Sequence, residues 1–237
     1  MDIVEQIKEK INTYVDEEKA AVLPRYFQAF EGGYGEGDQF IGVSVPNLRK
    51  VARSYYRYIE ITDVERLLNE PIHEYRLAAL FILVYKFEKA KDGGEKETIV
   101  DTYLRNIRSV NNWDLVDSSA DKILGAFLFN KDKSILYDFA RSSNLWEQRI
   151  AIISTFYFIK QNHFDDTLEI AKILINHNHD LMHKGVGWML REIGNRDFHV
   201  EFNFLRDNYK VMPRTMLRYA IEKFEPDLRQ KFLKGLI

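Results

Sequence analysis

The residues best suited to chemistry are Trp113 and Asp117, in the segment from Val110 to Ser119. They are four positions apart, so a helix would bring them to within roughly 40° of each other on one face. Leu115 and Val116 can supply the buried stripe of that helix, which allows the Trp–Asp pair to face elsewhere. The simpler interpretation is a tryptophan packed where two helices meet, beside an aspartate that the helix dipole favours.

Similar residues recur along the chain at intervals of roughly 40 residues. The recurring positions are Arg76, Trp113, Arg149 and Trp188. A self-similar helix pair of this length is typical of HEAT-type solenoids, whose second helices stack side by side along a concave surface. Residues at one repeat position would then form a row across that surface. For Arg76 a salt bridge to an acidic neighbour such as Glu74 is an equal alternative.

Helical periodicity fills most of the chain, and no segment shows the alternation of a strand. The segment 32–38 holds four of the twelve glycines and predicts a loop. Pro46 suits the first turn of a helix that carries Arg49 and Arg53. The sequence therefore predicts an all-α protein: a single-domain α-solenoid of HEAT-like antiparallel helix pairs over 1–237, with a loop insertion near 32–38.

The composition narrows the class of protein. Hydrophobic residues make up 46% and charged residues 30%, which suits a soluble protein with a core. The absence of cysteine excludes disulfides and thiolate chemistry. No apolar run approaches the roughly 20 residues of a membrane span, and the acidic N-terminus is not a signal peptide, so we expect a cytoplasmic protein without a membrane partner. The net charge of −2 argues against DNA binding through bulk charge, but not against a local basic face.

Other kinds of site are poorly supported. His177, His179 and His183 lie near one another, but their position between helices and the lack of a carboxylate pattern disfavour a metal site. Ser118 has no nearby histidine and no nucleophile-elbow motif, and no glycine motif would cradle a nucleotide phosphate. We expect no metal and no cofactor.

Three motifs carry a resemblance to a known family. They are Trp-Asp-x-Val-Asp at 113–117, Trp-x-x-Arg at 146–149 and Gly-Trp-x-Leu-Arg-Glu at 187–192. In this order, on a helical-repeat background, they resemble the AlkD-like family of DNA alkylation-repair glycosylases over most of the chain. The segment 42–49, Gly-Val-Ser-Val-Pro-Asn-Leu-Arg, also resembles that family's entry to an early helix.

The resemblance implies a fold, an activity and site residues. The family removes positively charged N3- and N7-alkylated purines, such as 3-methyladenine and 7-methylguanine, from duplex DNA gripped by its concave face, and the damaged base stays stacked. By resemblance, Asp117 is the catalytic carboxylate, Trp113 and Trp188 line the deoxyribose of the lesion, and Arg149 holds the adjacent phosphate.

Two further positions bear on DNA contact by resemblance. Tyr26 matches a family tyrosine near the DNA. Ser44 takes the place of a bulkier glutamine, and the loop at 32–38 resembles an insertion. Both departures affect how the strand opposite the lesion would be held.

The chemistry is consistent with these roles. An alkylated purine is already cationic and leaves without a general acid, so the enzyme must stabilise positive charge that develops on the sugar. A carboxylate attracts that charge, two indoles could add about 0.5–2 kcal/mol each, and Asp117 can also orient water. Apart from Lys184 the motif segments contain no lysine, so we expect a monofunctional glycosylase without Schiff-base chemistry.

Basic residues that could track phosphates lie on the second helices of pairs or on the helix after Pro46. They are Arg49, Arg53, Arg76, Lys184, Arg191, Arg214 and Arg218. Each could instead be a solvated surface residue. The expected partner is double-stranded DNA with alkylated bases, bound by a monomer. The alternative is a non-catalytic helical-repeat module that binds damaged or branched DNA or a protein partner.

Overall fold

The computed structural model describes residues 2–237. Within this range the regular elements are all helical, and the one extended pairing is an isolated bridge between Gln39 and Ile72. The prediction of an all-α fold is confirmed. None of the described helices combines the length and the apolar character needed to cross a bilayer.

The chain divides into two compact units, Met1–Ser119 and Ala120–Ile237. The single domain expected over 1–237 therefore stays a prediction, and each unit is described by itself. The four recurring positions each lie on the second helix of a consecutive pair, as the repeat spacing indicates.

The first unit is built around one long buried helix. Its helices are α1 (Ile3–Asn12), α2 (Glu17–Tyr26), α3 (Val45–Tyr55), α4 (Ile61–Leu68), α5 (His73–Lys89), α6 (Gly93–Arg105) and α7 (Trp113–Ser119), with a short 3-10 turn at Ile107–Ser109. Helix α5 is buried without interruption from His73 to Val84, and α3, α4, α6 and α7 pack around it. The ends of these helices therefore take their positions from α5.

The predicted loop at 32–38 lies between α2 and α3. Gly32 and Gly37 have φ of 77° and 90°, a conformation that disfavours any residue with a side chain. Pro46 occupies the first turn of α3, as the sequence predicts. The loop is thus fixed by backbone conformations that its glycines permit.

The second unit begins with a π-helical turn at Asp121–Gly125. Its helices are α8 (Ala126–Leu128), α9 (Ser134–Arg141), α10 (Leu145–Ser154), α11 (Phe156–Lys160), α12 (Asp165–Leu174), α13 (Asp180–Gly194), α14 (Phe198–Asn208), α15 (Arg214–Ala220) and α16 (Pro226–Lys234), with a 3-10 turn at Ile221–Lys223. Helix α13 is central and packs against α10, α12, α14 and α15. A Cβ at Gly187 would lie 2.5 Å from the Met216 carbonyl oxygen, so only glycine allows α15 to approach this closely.

Candidate functional site

Trp113 and Asp117 both lie on α7, the last helix of the first unit. Leu115 and Val116 are fully buried, whereas Trp113 and Asp117 are each partly exposed. The helix therefore turns its apolar stripe inwards and keeps the Trp–Asp pair at the edge of the core. This is the arrangement that the four-residue spacing predicts for one helical face.

The indole of Trp113 is held by a group of aromatic rings. It stacks on Phe27 with ring centroids 5.3 Å apart, and it meets the edge of Tyr26 at 5.9 Å. Phe27 also stacks on Phe40 at 5.1 Å. Phe27 is buried, whereas Tyr26 is 63% exposed. Such contacts are worth about 0.5–1.5 kcal/mol each beyond burial, so they fix the plane of the indole beside an accessible tyrosine.

Phe27, which stacks on Trp113, also contacts a histidine that is bonded to two aspartates. His73 is 2% exposed, its Nδ1 lies 2.9 Å from Oδ2 of Asp38, and its Nε2 lies 2.8 Å from Oδ2 of Asp114. A neutral imidazole can donate from one nitrogen only, so two carboxylates favour the imidazolium form. Burial lowers the pKa of His73, but the hydrogen bonds to Asp114 and Asp38 outweigh it and raise the pKa to about 9. A buried cation thus connects the loop to the first turn of α7.

Asp38 has a second cationic partner in Arg76. Nη2 of Arg76 lies 2.5 Å from Oδ1 of Asp38, and Nη1 donates to the carbonyl oxygens of Glu70 and Pro71, at 3.1 Å each. Burial tends to raise the pKa of Asp38, but His73 and Arg76 hold it below its usual value. The carboxylate is therefore the common anion of a buried network.

The structure corrects the expectation for Arg76. Its side chain was expected at the DNA surface or in a pair with Glu74, but it is 6% exposed and bonded to Asp38. Glu74 instead accepts hydrogen bonds from the backbone N–H groups of Ile41 and Gly42. Because its guanidinium is enclosed and already paired with the buried carboxylate of Asp38, we leave Arg76 out of the proposed DNA contacts.

The glycine-rich loop packs against the residue that precedes Trp113. Nδ2 of Asn112 lies 3.3 Å from Oδ2 of Asp38, and Oδ1 of Asn112 accepts the backbone N–H of Trp113 at 2.9 Å. A Cβ at Gly35 would lie 2.9 Å from Nδ2 of Asn112. Sequence reasoning missed Asp38, His73 and Asn112 as supports of Trp113, since none of them has a local signal of this role.

In the second unit, Trp188 lies on α13, and Arg149 lies on α10 and bonds to α13. Arg149 is 4% exposed, and its Nη1 donates to the Leu181 carbonyl oxygen at 2.6 Å. A Cβ at Gly185 would lie 3.1 Å from Nη1 of Arg149, so the glycine makes room for the guanidinium. Trp188 is partly exposed, donates from Nε1 to Oε1 of Glu192 at 3.0 Å and lies 5.5 Å from the Phe156 ring.

The remaining basic candidates of the second unit differ in their surroundings. Lys184 forms an ion pair with Asp180 at 2.6 Å, and Arg191 pairs with Glu222. Arg214 and Arg218 are exposed. Nη1 of Arg214 donates to the Leu233 carbonyl oxygen at 2.9 Å. A DNA phosphate would have to compete with carboxylates at Lys184 and Arg191, whereas Arg214 forms no ion pair with any residue that the structure describes.

The two arginines of α3 that were predicted to contact DNA, Arg49 and Arg53, each lie against an aromatic ring. The guanidinium of Arg49 lies 4.1 Å from the centre of the Phe81 ring, and that of Arg53 lies 5.5 Å from the Tyr85 ring. Ser44 directly precedes α3, and its side chain makes no capping hydrogen bond. The two arginines therefore keep their charge at the surface while their guanidinium groups stay oriented by π faces.

The histidines at the start of α13 have structural contacts. His179 accepts the N–H of Leu181 and caps the helix, and Nε2 of His177 lies 2.8 Å from Oε1 of Gln148. Nε2 of His183 contacts the carbonyl oxygen of His177. His177 therefore lies between helices as the sequence predicts, whereas His179 is the N-cap of α13 and His183 lies in its first turn.

Comparison with solved structures identifies the fold. A predicted DNA alkylation repair enzyme from Enterococcus faecalis is similar with a TM-score of 0.70 and 14% identity, over 90% of this chain and 97% of that one. AlkD2 from Streptococcus mutans gives 0.55 and 17%, over 89% and 99%. The protein smu.31 from Streptococcus mutans UA159 gives 0.54 and 17%, over 88% and 98%. No curated protein matches the sequence.

A sequence comparison supplies the family. The family model described as DNA alkylation repair enzyme matches residues 7–224, which is most of the chain and includes both units. At these low identities the solved structures show only a shared fold. The match to the family model shows that the sequence itself is related to the family. The chain therefore belongs to the DNA alkylation repair enzyme family.

Proposed function

We propose that this protein is a monofunctional DNA glycosylase acting on double-stranded DNA. Its substrates are positively charged N3- and N7-alkylated purines, and it hydrolyses the N-glycosidic bond without flipping the base. The observation that supports this most is the placement of Trp113 and Asp117 together at the edge of the first unit, beside the exposed Tyr26. An indole and a carboxylate are the groups that a developing sugar cation requires.

Asp117 supplies the electrostatic part of the reaction. As the bond from C1′ to the alkylated purine breaks, the bonding electrons leave with the base, which departs neutral. The positive charge moves to the sugar, where the carboxylate of Asp117 and the indole face of Trp113 stabilise it. Water then adds to C1′ and loses a proton, and Asp117 orients this water.

The buried network gives the site its rigidity. Asn112 and Asp114, the neighbours of Trp113, are both bonded into the network through Asp38 and His73. Groups that are already oriented stabilise a transition state without the cost of reorganisation. The network therefore supports catalysis by holding Trp113, while none of its members touches the substrate.

In the second unit we propose two DNA contacts. Trp188 contacts deoxyribose, and its partly exposed indole, oriented by Glu192 and Phe156, suits this role. Arg149 contacts a phosphate, which would replace its present bond to the Leu181 carbonyl oxygen. Further contacts are proposed at the remaining positions of the predicted set, which are Tyr26, Ser44, Arg49, Arg53, Lys184, Arg191, Arg214 and Arg218. The protein acts as a monomer.

The direct test is release of 7-methylguanine from a duplex oligonucleotide. We expect release by the unsubstituted protein and a loss of at least about 10-fold in Asp117→Asn, which corresponds to about 1.4 kcal/mol of barrier. Asp101→Asn removes an exposed carboxylate on α6 and serves as the matched control, with release unchanged. Absence of release by the unsubstituted protein would leave the non-catalytic binding module as the function.

A further inference from the structure

A groove crosses the first unit where α3 and α5 end. One cavity of about 610 Å³ lies between the ends of these helices and the starts of α4 and α6, and a second of about 530 Å³ adjoins it along α3. Tyr56, Arg57 and Lys89 line both cavities, so the two form a continuous surface that we call the α3–α5 groove. None of these three residues belongs to the proposed catalytic site.

Tyrosines and arginines alternate along this groove. The guanidinium of Arg53 lies 5.5 Å from the Tyr85 ring, Tyr85 lies 5.7 Å from Tyr56, and the guanidinium of Arg57 lies 5.4 Å from the Tyr56 ring. Nε of Arg57 also donates to the Tyr56 hydroxyl at 2.9 Å. Tyr58, which follows in the turn, is 73% exposed. The groove thus presents π faces and guanidinium groups side by side.

The cations of the groove are not neutralised by carboxylates. Among the residues that the structure describes, Arg53, Arg57, Lys86, Lys89 and Lys91 take part in no ion pair. Elsewhere in the same unit Lys8 pairs with Glu70 at 2.9 Å, and Arg105 pairs with Glu65 at 2.6 Å. The groove therefore keeps a positive potential that an anion could use.

Acidic residues at the groove limit that potential without cancelling it. Glu60, Glu88 and Glu95 also line the two cavities, against the five cations. Burial lowers the pKa of Lys86, and Glu60 and Glu95 partly oppose this. An anion bound beside Lys86 would favour its charged form, since opposite charges stabilise one another.

We propose that the α3–α5 groove binds an unpaired nucleic-acid strand. Phosphates contact Arg57, Lys89 and Lys91, and bases stack on Tyr56 and Tyr58. Grooves that combine a positive track with aromatic platforms are the common device for single strands, because every base has a π face. A duplex keeps its bases stacked inside and would leave the tyrosines unused, so a single strand fits the chemistry better. The proposal does not depend on catalysis at Asp117.

The test measures binding of a fluorescently labelled oligo-dT of about 12 nucleotides, a length within the usual range for such sites. We expect Tyr58→Ala to weaken binding by about 10-fold. Tyr58 is exposed, so its substitution leaves the fold intact, as circular dichroism would verify. Binding of Tyr58→Ala and Arg57→Gln at the strength of the unsubstituted protein, or no binding of oligo-dT by that protein, would overturn the proposal.

A second set of measurements separates the contribution of phosphate contacts to binding from that of base stacking. The double variant Lys89→Gln/Lys91→Gln should reduce the slope of log affinity against log salt by about 1.4, because each single-strand phosphate contact contributes about 0.7. Lys172→Gln/Lys231→Gln removes the same charge from the second unit and should leave the slope unchanged. An oligomer of abasic nucleotides with equal length should bind about 10-fold more weakly than oligo-dT, and equal binding would refute stacking.

A third set of measurements tests single-strand binding independently of the glycosylase proposal. Asp117→Asn should bind oligo-dT as tightly as the unsubstituted protein. Groove variants should retain their affinity for an undamaged duplex. If the groove variants lowered duplex affinity and left oligo-dT binding intact, the groove would be part of a duplex contact and the single-strand assignment would be wrong.

Discussion

Nε2 of His73 lies 2.8 Å from Oδ2 of Asp114, the residue that follows Trp113. The same imidazole reaches Asp38 through Nδ1, so a single buried ring connects the loop, α5 and the start of α7. The candidate catalytic tryptophan is therefore positioned by buried charges bonded to its neighbour Asp114, in addition to the aromatic rings that contact it.

Replacement of His73 should be strongly destabilising. In His73→Gln, Asp114 loses its buried cationic partner and Asp38 keeps only Arg76, and breaking a buried ion pair by removing one partner costs about 3–5 kcal/mol. Urea denaturation would measure the loss in the free energy of unfolding. His199→Gln replaces an exposed histidine and should change it little. A loss below about 1 kcal/mol in His73→Gln would show that the network contributes little to stability.

The free energy of unfolding should also fall as the solution becomes alkaline. Despite burial, the hydrogen bonds to two aspartates raise the pKa of His73 from its usual 6.5 to about 9, so its contribution is complete below pH 6.5 and is lost as the pH rises towards 9. Denaturation at pH 6 and pH 9 would measure this, with up to about 1.4 kcal/mol lost per pH unit. Direct observation of the His73 ring titrating near 6.5 by NMR would contradict the charged network.

Stabilisation of the sugar cation by Trp113 can be separated from its packing. Trp113→Leu should lower the rate of 7-methylguanine release by about 2-fold to 30-fold, the equivalent of one cation–π contact. Trp113→Phe keeps a π face and should recover part of the rate. If leucine and phenylalanine gave equal rates, the indole would have only a packing role. Single-turnover kinetics would report the chemical step.

Glu201 should destabilise the second unit at neutral pH. Burial raises its pKa to about 8, and Arg191 opposes this. The folded state therefore keeps the proton while the unfolded chain ionises near 4.5, so stability falls as the pH rises from 4.5 to 8. Glu201→Gln should raise the Tm at pH 7.5 and leave it nearly unchanged at pH 4. Glu97→Gln, at an exposed site on α6, is the control and should change the Tm at neither pH.

The features that could be predicted from the sequence are those that depend on residues close together in the chain. The all-α class follows from the 3.6-residue periodicity, and the partly exposed edge of α7 follows from the spacing of Trp113, Asp117 and their apolar neighbours. The burial of Arg76 could not be predicted in this way. It depends on Asp38, which is distant in sequence and reaches Arg76 only because the loop folds back over α5. The role of Asn112 has the same origin, although it directly precedes a recognised motif.

His73 and Arg76 share the carboxylate of Asp38 as an ion-pair partner, and this has an evolutionary consequence. A relative that shortens the loop and loses this aspartate would leave two cations in the core without their shared anion, which few chains could tolerate. The three positions should therefore covary as a unit, present together or replaced together by apolar residues. The loop's length would then be inherited along with the interior of α5, rather than varying as surface segments usually do.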